Sequence, residues 1–502
     1  MASNVSAIEL LGMNRFQRFG YNFLNFFRLL PRRIGRLFIK IGLFFKMLGL
    51  KTAEYFRNLV VGFRDGTWKT RLTYLVMGFS NFTHKQIARG VLFAVFEVAF
   101  ILYMILMGGK YLGQLGTLGT VARQIDDYGV VTYVDNSFRI LLYGVLTLFF
   151  IAAFIYTWSL SVRQAIINQQ LDVENKKIKT DKDDLRALVD RDFYKTLLAL
   201  PAIGILVFTV MPIVFMILVS FTNFDKDHNP PINLFNWVGG SNYGELFNFT
   251  AGGASFSATF LEILGWTLIW AFFATFSNYF LGMLVALLIN KKGIKLKKMW
   301  RTILVLTVTI PQFISLLYVS KMFGENGIVN QTLIDWGWIS INNKIYFWKD
   351  PNLAKVTVIL INIWIGVPYL MLMVTGILMN IPADLYESAK IDGASPVQQY
   401  FKITLPYMLF VTGPYLLTSF TGNMNNFNVI YLLSGGGPAD INLFKAAGKT
   451  NLLITWLYTT TVSDNNYALA AVIGVMVFVV VALISLIVYN LLPSNRNEED
   501  LA

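Results

Sequence analysis

The sequence contains no cysteine and only two histidines, His84 and His228. The absence of cysteine excludes disulfides, thiolate metal sites and a cysteine nucleophile, and two histidines are too few for a histidine-rich metal centre. Charged residues are also scarce, at 14% of the chain, whereas 55% of the 502 residues are hydrophobic and the mean hydropathy is +0.55. So little charge excludes a soluble globular protein.

The sequence contains long apolar segments with few charged residues. Eight of them reach about 20 residues, the length that a helix needs to cross about 30 Å of hydrocarbon. They predict spans at about 87–108, 138–160, 196–220, 260–290, 301–323, 354–380, 407–433 and 466–492. We therefore expect an all-α polytopic membrane protein with eight transmembrane helices, of which the fourth and seventh are long enough to be tilted or broken.

The basic residues between the spans predict the orientation. Residues 161–195 carry eight Lys and Arg and residues 291–301 carry six, whereas residues 221–259 contain only Lys226. Because loops rich in Lys and Arg stay in the cytoplasm, both termini are expected on the cytoplasmic side.

The first 86 residues are strongly basic. Fifteen Lys and Arg precede residue 90, interleaved with Phe, Leu and Ile at roughly helical spacing. This pattern is typical of helices that lie on an anionic membrane surface, and we do not expect nucleic-acid binding. The region is interpreted as an anchor that orients the first span, with a regulatory or docking role as the alternative.

These features divide the chain into five regions. They are a basic membrane-surface region (1–86), two additional N-terminal spans (87–160), a charged cytoplasmic linker (161–195), a six-span core (196–492) and a short cytoplasmic tail (493–502).

Glu97, Glu262 and Lys321 lie within or at the edge of predicted spans, and intramembrane charges are functional candidates by default. Lys321 lies near a predicted outer end, where its side chain can reach the interface, and Glu262 begins its span. Only Glu97 is deep, and both structural pairing and a functional role are open for it.

No catalytic arrangement is found in the sequence. The segment AGKT (Ala447 to Thr450) resembles the end of a phosphate-binding loop, but Leu443 stands where that loop requires glycine, and the segment lies on the predicted outer face. No Ser/His/Asp set or paired carboxylates emerge. We therefore expect no catalytic or metal-ligating residues, and any ATP must be hydrolysed by another chain.

A polar segment, residues 381–406, separates the sixth and seventh spans. Pro382 can begin a helix whose first turns carry Asp384 and Glu387, Gly393 permits a turn, and Pro396 can begin a second helix. The pattern predicts a short helix, a turn and a second helix. Such a segment suits insertion into a cleft of a cytoplasmic partner, and the alternative is an ordinary amphipathic connector.

The same segment resembles the EAA loop of binding-protein-dependent ABC importer permeases. Glu387, Ala389, Asp392 and Gly393 match its pattern together with Ala394 and Leu405-Pro406, and Ser388 replaces the first alanine, a small-for-small change. The resemblance implies a type I ABC importer core in which these four residues form a coupling helix that docks on an ATPase subunit, with Glu387 paired to an arginine there.

Further motifs extend the resemblance over residues 195–492. These are WIGVPYLMLM (364–373), FKITLP (401–406), SFTGNMNNF (419–427) and LLSGGGP (432–438). They are similar to the larger permease subunit of maltose/maltodextrin importers, the MalF type. The resemblance implies a bacterial cytoplasmic membrane protein that works with a second permease (MalG type), two ATPase subunits (MalK type) and an extracellular sugar-binding protein (MalE type). This chain itself would bind no cofactor, since ATP and Mg²⁺ are used by the ATPases.

By the same resemblance, six residues would contact a sugar midway across the membrane: Ile365, Gly366, Tyr369, Ser419, Asn423 and Asn426. Their chemistry agrees, because Asn donates and accepts at once and Tyr combines an apolar face with a polar tip. Amides in a span are costly unless they line a polar cavity or bond between helices, and interhelical bonding without a ligand is the alternative.

Two departures from the family bear on the cargo and on docking. Gly422 stands where the family has an aromatic sugar platform, and the outer loop after span three, about 39 residues long, lacks room for a folded insertion that holds the binding protein. Another oligosaccharide, raffinose-type or β-linked, is therefore an alternative cargo. Rivals from other classes are a stand-alone channel or ion-coupled carrier and a membrane enzyme acting on lipid-linked sugars.

Overall fold

The computed structural model describes residues 49–121, 134–248, 254–291 and 293–491, with positions 39, 42, 43, 46 and 47. The predicted cytoplasmic tail and most of the predicted basic surface region before residue 49 lie outside the described residues.

Helices make up most of the described chain. In chain order they are α1 (49–64), α2 (Ile87–Gln114), α3 (Ser137–Val173), α4 (Asp181–Val189), α5 (Phe193–Val219), α6 (Phe256–Asn290), α7 (Lys297–Thr309), α8 (Gln312–Met322), α9 (Pro351–Leu378), α10 (Ala383–Ile391), α11 (Pro396–Met424), α12 (Phe427–Ser434), α13 (Leu453–Val462) and α14 (Tyr467–Leu491). Shorter helices are Trp68–Thr73, Phe79–Thr83, Ser241–Phe247 and Ile328–Asp335. Within these ranges β pairing is limited to two isolated bridges. In the described part of the chain, seven helices are long and apolar enough to cross a membrane, namely α2, α3, α5, α6, α9, α11 and α14. The predicted all-α polytopic fold is confirmed.

The fifth predicted span is not a single helix. Residues 301–323 fall on α7 and α8, which meet at a bend of 90°. The break lies at Ile310, whose ψ of 127° is extended, immediately before Pro311. The proline ring disfavours helical conformations of the residue before it, which explains where the helix ends. The bent pair can count as the eighth span.

The seventh predicted span is shifted and broken. Its helix, α11, begins eleven residues earlier than expected, at Pro396, and ends at Met424. The chain restarts as α12 after Asn426, whose side chain accepts a hydrogen bond from the Val429 amide and caps the new helix. The fourth predicted span, α6, continues through a π-helical turn at Phe273–Ser277.

The chain divides into two compact units. The first comprises residues 1–110 and 146–203. In it, α2 packs on α3 through stacked Phe100 and Phe154 rings, with centroids 4.1 Å apart, and through a 2.9 Å hydrogen bond between Tyr103 and Thr147. The Glu97 carboxylate accepts a 2.8 Å hydrogen bond from the Met77 amide, so this charge in a span has a structural partner.

The second unit comprises residues 111–145 and 204–502. In its core α6 and α9 cross closely, because a Cβ on Gly282 would lie 2.7 Å from Leu370 Cβ. Small residues at such crossings suit membrane helices, whose association depends on close van der Waals packing. Around this crossing, Tyr279, Met283 and Met408 are fully buried, which joins α11 to the pair.

Candidate functional site

A cavity of about 360 Å³ lies where the break between α7 and α8 meets α9. Ten residues line it: Thr307, Val308, Ile310, Pro311, Gln312, Ser315, Trp364, Ile365, Gly366 and Tyr369. The structure thus brings together the three sugar-contact candidates of α9. Tyr369 exposes 52% of its surface, so its ring and hydroxyl are available to a ligand.

Four lining residues with polar groups were not predicted from the sequence, namely Thr307, Gln312, Ser315 and Trp364. The bend at Pro311 brings the first three to the cavity, and the signal for them was a proline inside an apolar stretch. Trp364 belongs to the motif that supplied the other α9 candidates, and 53% of its surface is exposed. With Tyr369 it gives the cavity two aromatic side chains.

Gly366 is the point where α9 approaches α6 next to the cavity. A Cβ there would collide with the amide of Asn278, so any larger residue would force the Asn278 side chain to move. Asn278 is buried and donates to the Ala274 carbonyl at 2.8 Å, but its Oδ1 has no hydrogen-bond partner in the described chain. Asn362, one turn before Gly366, is also buried with an unpartnered Nδ2. Buried unpaired amide atoms are costly, but neither asparagine lines the cavity.

The other three sugar-contact candidates do not line this cavity. The Asn423 Nδ2 donates to Thr275 Oγ1 at 2.9 Å, and its Oδ1 accepts from Asn426 Nδ2 at 3.3 Å. Asn426 in turn caps α12. Both amides therefore make the structural hydrogen bonds that were the alternative for them, and sugar contact by either stays a prediction. Ser419 lies on α11 within hydrogen-bonding reach of the Tyr415 side chain.

Gly422, the departure from the family pattern, faces open space. It is exposed, and no heavy atom lies within 4 Å of the position that a Cβ would take. Nothing in the described chain occupies the place of the missing aromatic platform.

The polar segment between the sixth and seventh predicted spans has the expected local structure. Helix α10 follows Pro382, Gly393 adopts a left-handed φ of +75°, and Ser395 forms a capping box with Gln398 at the start of α11. The predicted helix, turn and helix are confirmed. The Tyr386 hydroxyl bonds to Thr404 Oγ1 at 2.9 Å, which fastens α10 to the beginning of α11.

The outer surface of α10 is well suited to a protein partner. Glu387 is exposed and makes no ion pair within the described ranges, and Asp392 is exposed at the C-cap. Apolar side chains flank these charges, with Leu385 47% and Ile391 87% exposed. Ala389 is half-buried. A charge set among exposed apolar side chains is a common arrangement at protein interfaces.

The segment AGKT is part of an ion-pair network. Lys449 lies 2.5 Å from a Glu262 oxygen and 2.8 Å from an Asp440 oxygen. Burial lowers the pKa of Lys449, but the hydrogen bonds to the two carboxylates outweigh it and leave the pKa raised. The hydrogen bond from Lys449 lowers the pKa of Asp440. Lys449 thus links the start of α6 to the loop after α12, and the charge of Glu262 is paired.

Comparison with known proteins gives consistent matches. The family described as "Binding-protein-dependent transport system inner membrane component" matches residues 278–497. The maltodextrin transport system permease protein MdxF of Bacillus subtilis is 33% identical over 86% of this chain and 97% of that protein. The galactooligosaccharides transport system permease protein GanP of the same organism is 31% identical over 85% of this chain and 98% of that protein. The maltose/maltodextrin transport system permease protein MalF of Salmonella typhimurium is 32% identical over 53% of each chain.

Proposed function

This chain belongs to the family of binding-protein-dependent transport system inner membrane components, as a permease subunit of an ABC importer for oligosaccharides, and we propose that its cargo is maltose and maltodextrins. It is a transport component and not an enzyme. The cavity at the α7–α8 break carries this proposal, because it joins two aromatic side chains to polar groups inside a membrane-spanning unit.

The sugar path is assigned to this cavity and the end of α11. Trp364 and Tyr369 offer apolar ring faces, which suit the C–H faces of glucose units, and Gln312 offers an amide for hydroxyl groups. Ile365 and Gly366 complete the α9 wall, and Ser419 of α11 is proposed to contact the sugar as well. Asn423 and Asn426 are proposed to exchange their present hydrogen bonds for sugar hydroxyls when cargo is bound.

Transport is coupled to ATP hydrolysis through α10. The exposed Glu387 and its apolar neighbours are proposed to dock in a groove of an ATPase subunit, with Ala389, Asp392 and Gly393 shaping the contact. Two ATPase subunits (MalK type) would use ATP and Mg²⁺, a second permease (MalG type) would complete the path, and an extracellular binding protein (MalE type) would deliver sugar. Differential binding of these partners to the two states would then shift the cavity between inward and outward access.

The protein is a multi-pass membrane permease, and we place it in the bacterial cytoplasmic membrane with both termini in the cytoplasm. The basic linker 161–195 and the basic segment 291–301 support this orientation. The five-region division of the sequence belongs to the same proposal, with residues 196–492 as the working core.

Purification of the tagged chain with its partners tests this function. We expect a second permease and ATPase subunits to co-purify, and ATP hydrolysis in the presence of the binding protein to rise with maltotriose. Stimulation by galactooligosaccharides and not by maltotriose would overturn the cargo and keep the importer class. Purification without any ATPase would overturn the coupling assignment.

A different oligosaccharide, raffinose-type or β-linked, is the second candidate cargo. The open space at Gly422 favours it, because a site without the aromatic platform can accept sugars of other shapes. GanP, named for galactooligosaccharides, is nearly as similar to this chain as MdxF is. Membership of the importer family leaves no place for the stand-alone carrier or the lipid-linked sugar enzyme.

A further inference from the structure

A cavity of about 690 Å³ lies between α1 and the end of α3, within the unit of residues 1–110 and 146–203. Two cations contribute to its wall, Lys51 from α1 and Arg163 from α3. Amide side chains line it as well, including Asn58 and Gln170. The sugar path and the coupling helix make no use of this site.

An apolar groove of about 530 Å³ adjoins the cavity along α3. Tyr55 and Arg163 line both spaces, so the groove begins where the cavity ends. Its other walls include Ala152, Ile155 and Leu160. A polar, cationic chamber and an apolar groove thus form one continuous amphipathic site.

The position of Arg163 sets the depth of this site in the membrane. No charged residue lies between Arg139 and Arg163, and a helix needs about 20 residues to cross the hydrocarbon. The groove beside 152–160 therefore lies at hydrocarbon depth, Arg163 lies at the boundary, and the cavity lies at headgroup level. This layout matches a phospholipid, with its chains in the groove and its phosphate among the cations.

The charges of the site also favour a phosphate. The Asp65 carboxylate at the cavity wall is already paired with Arg64, at 2.8 Å. Among the residues that the structure describes, Lys51, Arg163 and the lining Glu54 have no ion-pair partner, which leaves two cations and one carboxylate. The Tyr55 hydroxyl, at the junction, is shielded from solvent and has no hydrogen-bond partner there. It is a free donor where a lipid's phosphate or ester oxygens would lie.

We propose that α1 and α3 bind one glycerophospholipid, whose phosphate is held by Arg163 and Lys51 and whose acyl chains lie along Ala152–Leu160. Arginine suits this task because its planar guanidinium can donate two parallel hydrogen bonds to phosphate oxygens. The bound lipid would fix α1 to the membrane boundary at a defined place, beyond the general attraction of basic residues for an anionic surface.

The test compares two double variants of the full-length chain, purified in detergent and titrated with dioleoylphosphatidylglycerol under native mass spectrometry. Lys51→Gln/Arg163→Gln removes the two lining cations. Arg57→Gln/Arg186→Gln removes two cations that lie outside the cavity, so the general charge effect is equal. We expect the first lipid to bind at least about tenfold more weakly to the lining variant, and the control to retain wild-type binding.

Four results would overturn the proposal or one part of it. Equal weakening of lipid binding in both double variants would show that the lipid is held only by the general attraction of basic residues for an anionic lipid. Equal binding of dioleoylglycerol, which has no phosphate, would remove the phosphate from the assignment. Full competition by inorganic phosphate would identify an anion site and not a lipid site. Ala152→Trp, which fills the groove and leaves both cations, is expected to weaken the lipid about tenfold as well, and its unchanged binding would remove the groove from the assignment.

Discussion

The Asn423 amide donates a hydrogen bond of 2.9 Å to the Thr275 hydroxyl, and so joins the end of α11 to the π-helical turn of α6. The backbone carbonyl of Asn423 also accepts a hydrogen bond from the Trp270 indole, at 3.1 Å. One residue that the sequence marks for sugar binding therefore also holds two helices together, and its substitution should have two separate effects.

Asn423→Ala should lower both stability and uptake. Its side chain makes two hydrogen bonds, and hydrogen bonds between membrane helices contribute about 0.6 kcal/mol each, so a loss of about 1 kcal/mol is expected. Asn428→Ala, at an exposed position of α12, is the control and should change neither stability nor sugar uptake. Thermal unfolding in detergent and sugar uptake measure the two effects. Unchanged unfolding would mean that the Thr275 contact does not stabilise the fold.

Tyr369→Ala should weaken sugar binding by about tenfold or more and leave assembly with the ATPases intact, since the side chain faces the cavity and not the core. Tyr369→Phe keeps the ring, so its affinity for sugar should lie between the affinities of Tyr369→Ala and the wild type. Tyr318→Ala removes an exposed aromatic outside the cavity and should have no effect. Concentration-dependent uptake in proteoliposomes gives the affinities, and equal values for all three variants would place the sugar elsewhere.

Gly422→Phe should assemble normally, because no atom lies within 4 Å of the new Cβ. If open space at this position admits long sugars, the added ring should reduce uptake of maltoheptaose more than uptake of maltose. Gly376→Phe, another helical glycine with open space around it, is the control for the added bulk. A uniform reduction for every sugar length would show that Gly422 does not set the size of the site.

Glu387→Lys should leave membrane insertion intact and abolish transport, because it reverses a charge on the proposed docking surface of α10. Glu245→Lys reverses an exposed charge on the helix Ser241–Phe247 and should transport normally. Co-purification of the ATPase distinguishes lost docking from lost catalysis. Normal uptake by the α10 variant would remove the coupling assignment.

Lys449→Met should lower the unfolding temperature at neutral pH by breaking the pairs with Glu262 and Asp440. Lys445→Met, in the same loop, should not lower it, because Lys445 makes no ion pair with any residue that the structure describes. The lowered pKa of Asp440 means that this stability is present above the ordinary value of 3.8 and is lost as pH falls through the lower folded value. The raised pKa of Lys449 means that it is also lost as pH rises past 10.5 through the higher folded value. When the unfolding temperature is measured against pH, the values for Lys449→Met and the wild type should converge at low and at high pH. A constant difference at every pH would exclude the ion pairs as its cause.

The spans and the polar segment 381–406 could be predicted because their signals are local. Apolar length alone marks a membrane helix, and Pro382, Gly393 and Pro396 punctuate the chain around α10. The cavity was harder to predict, because its wall depends on a 90° bend. Pro311 indicates where the bend lies but does not indicate its angle. The partner of Asn423 lies 148 residues away in the sequence, and only the packed helices reveal it.

The most direct test of the account is uptake of labelled maltotriose by cells that lack this gene and by cells in which it has been restored. The account predicts that uptake is lost on deletion and returns on restoration, and that maltose and longer α-glucans compete with it. Equal uptake in both strains would contradict the assignment of maltodextrins as the cargo.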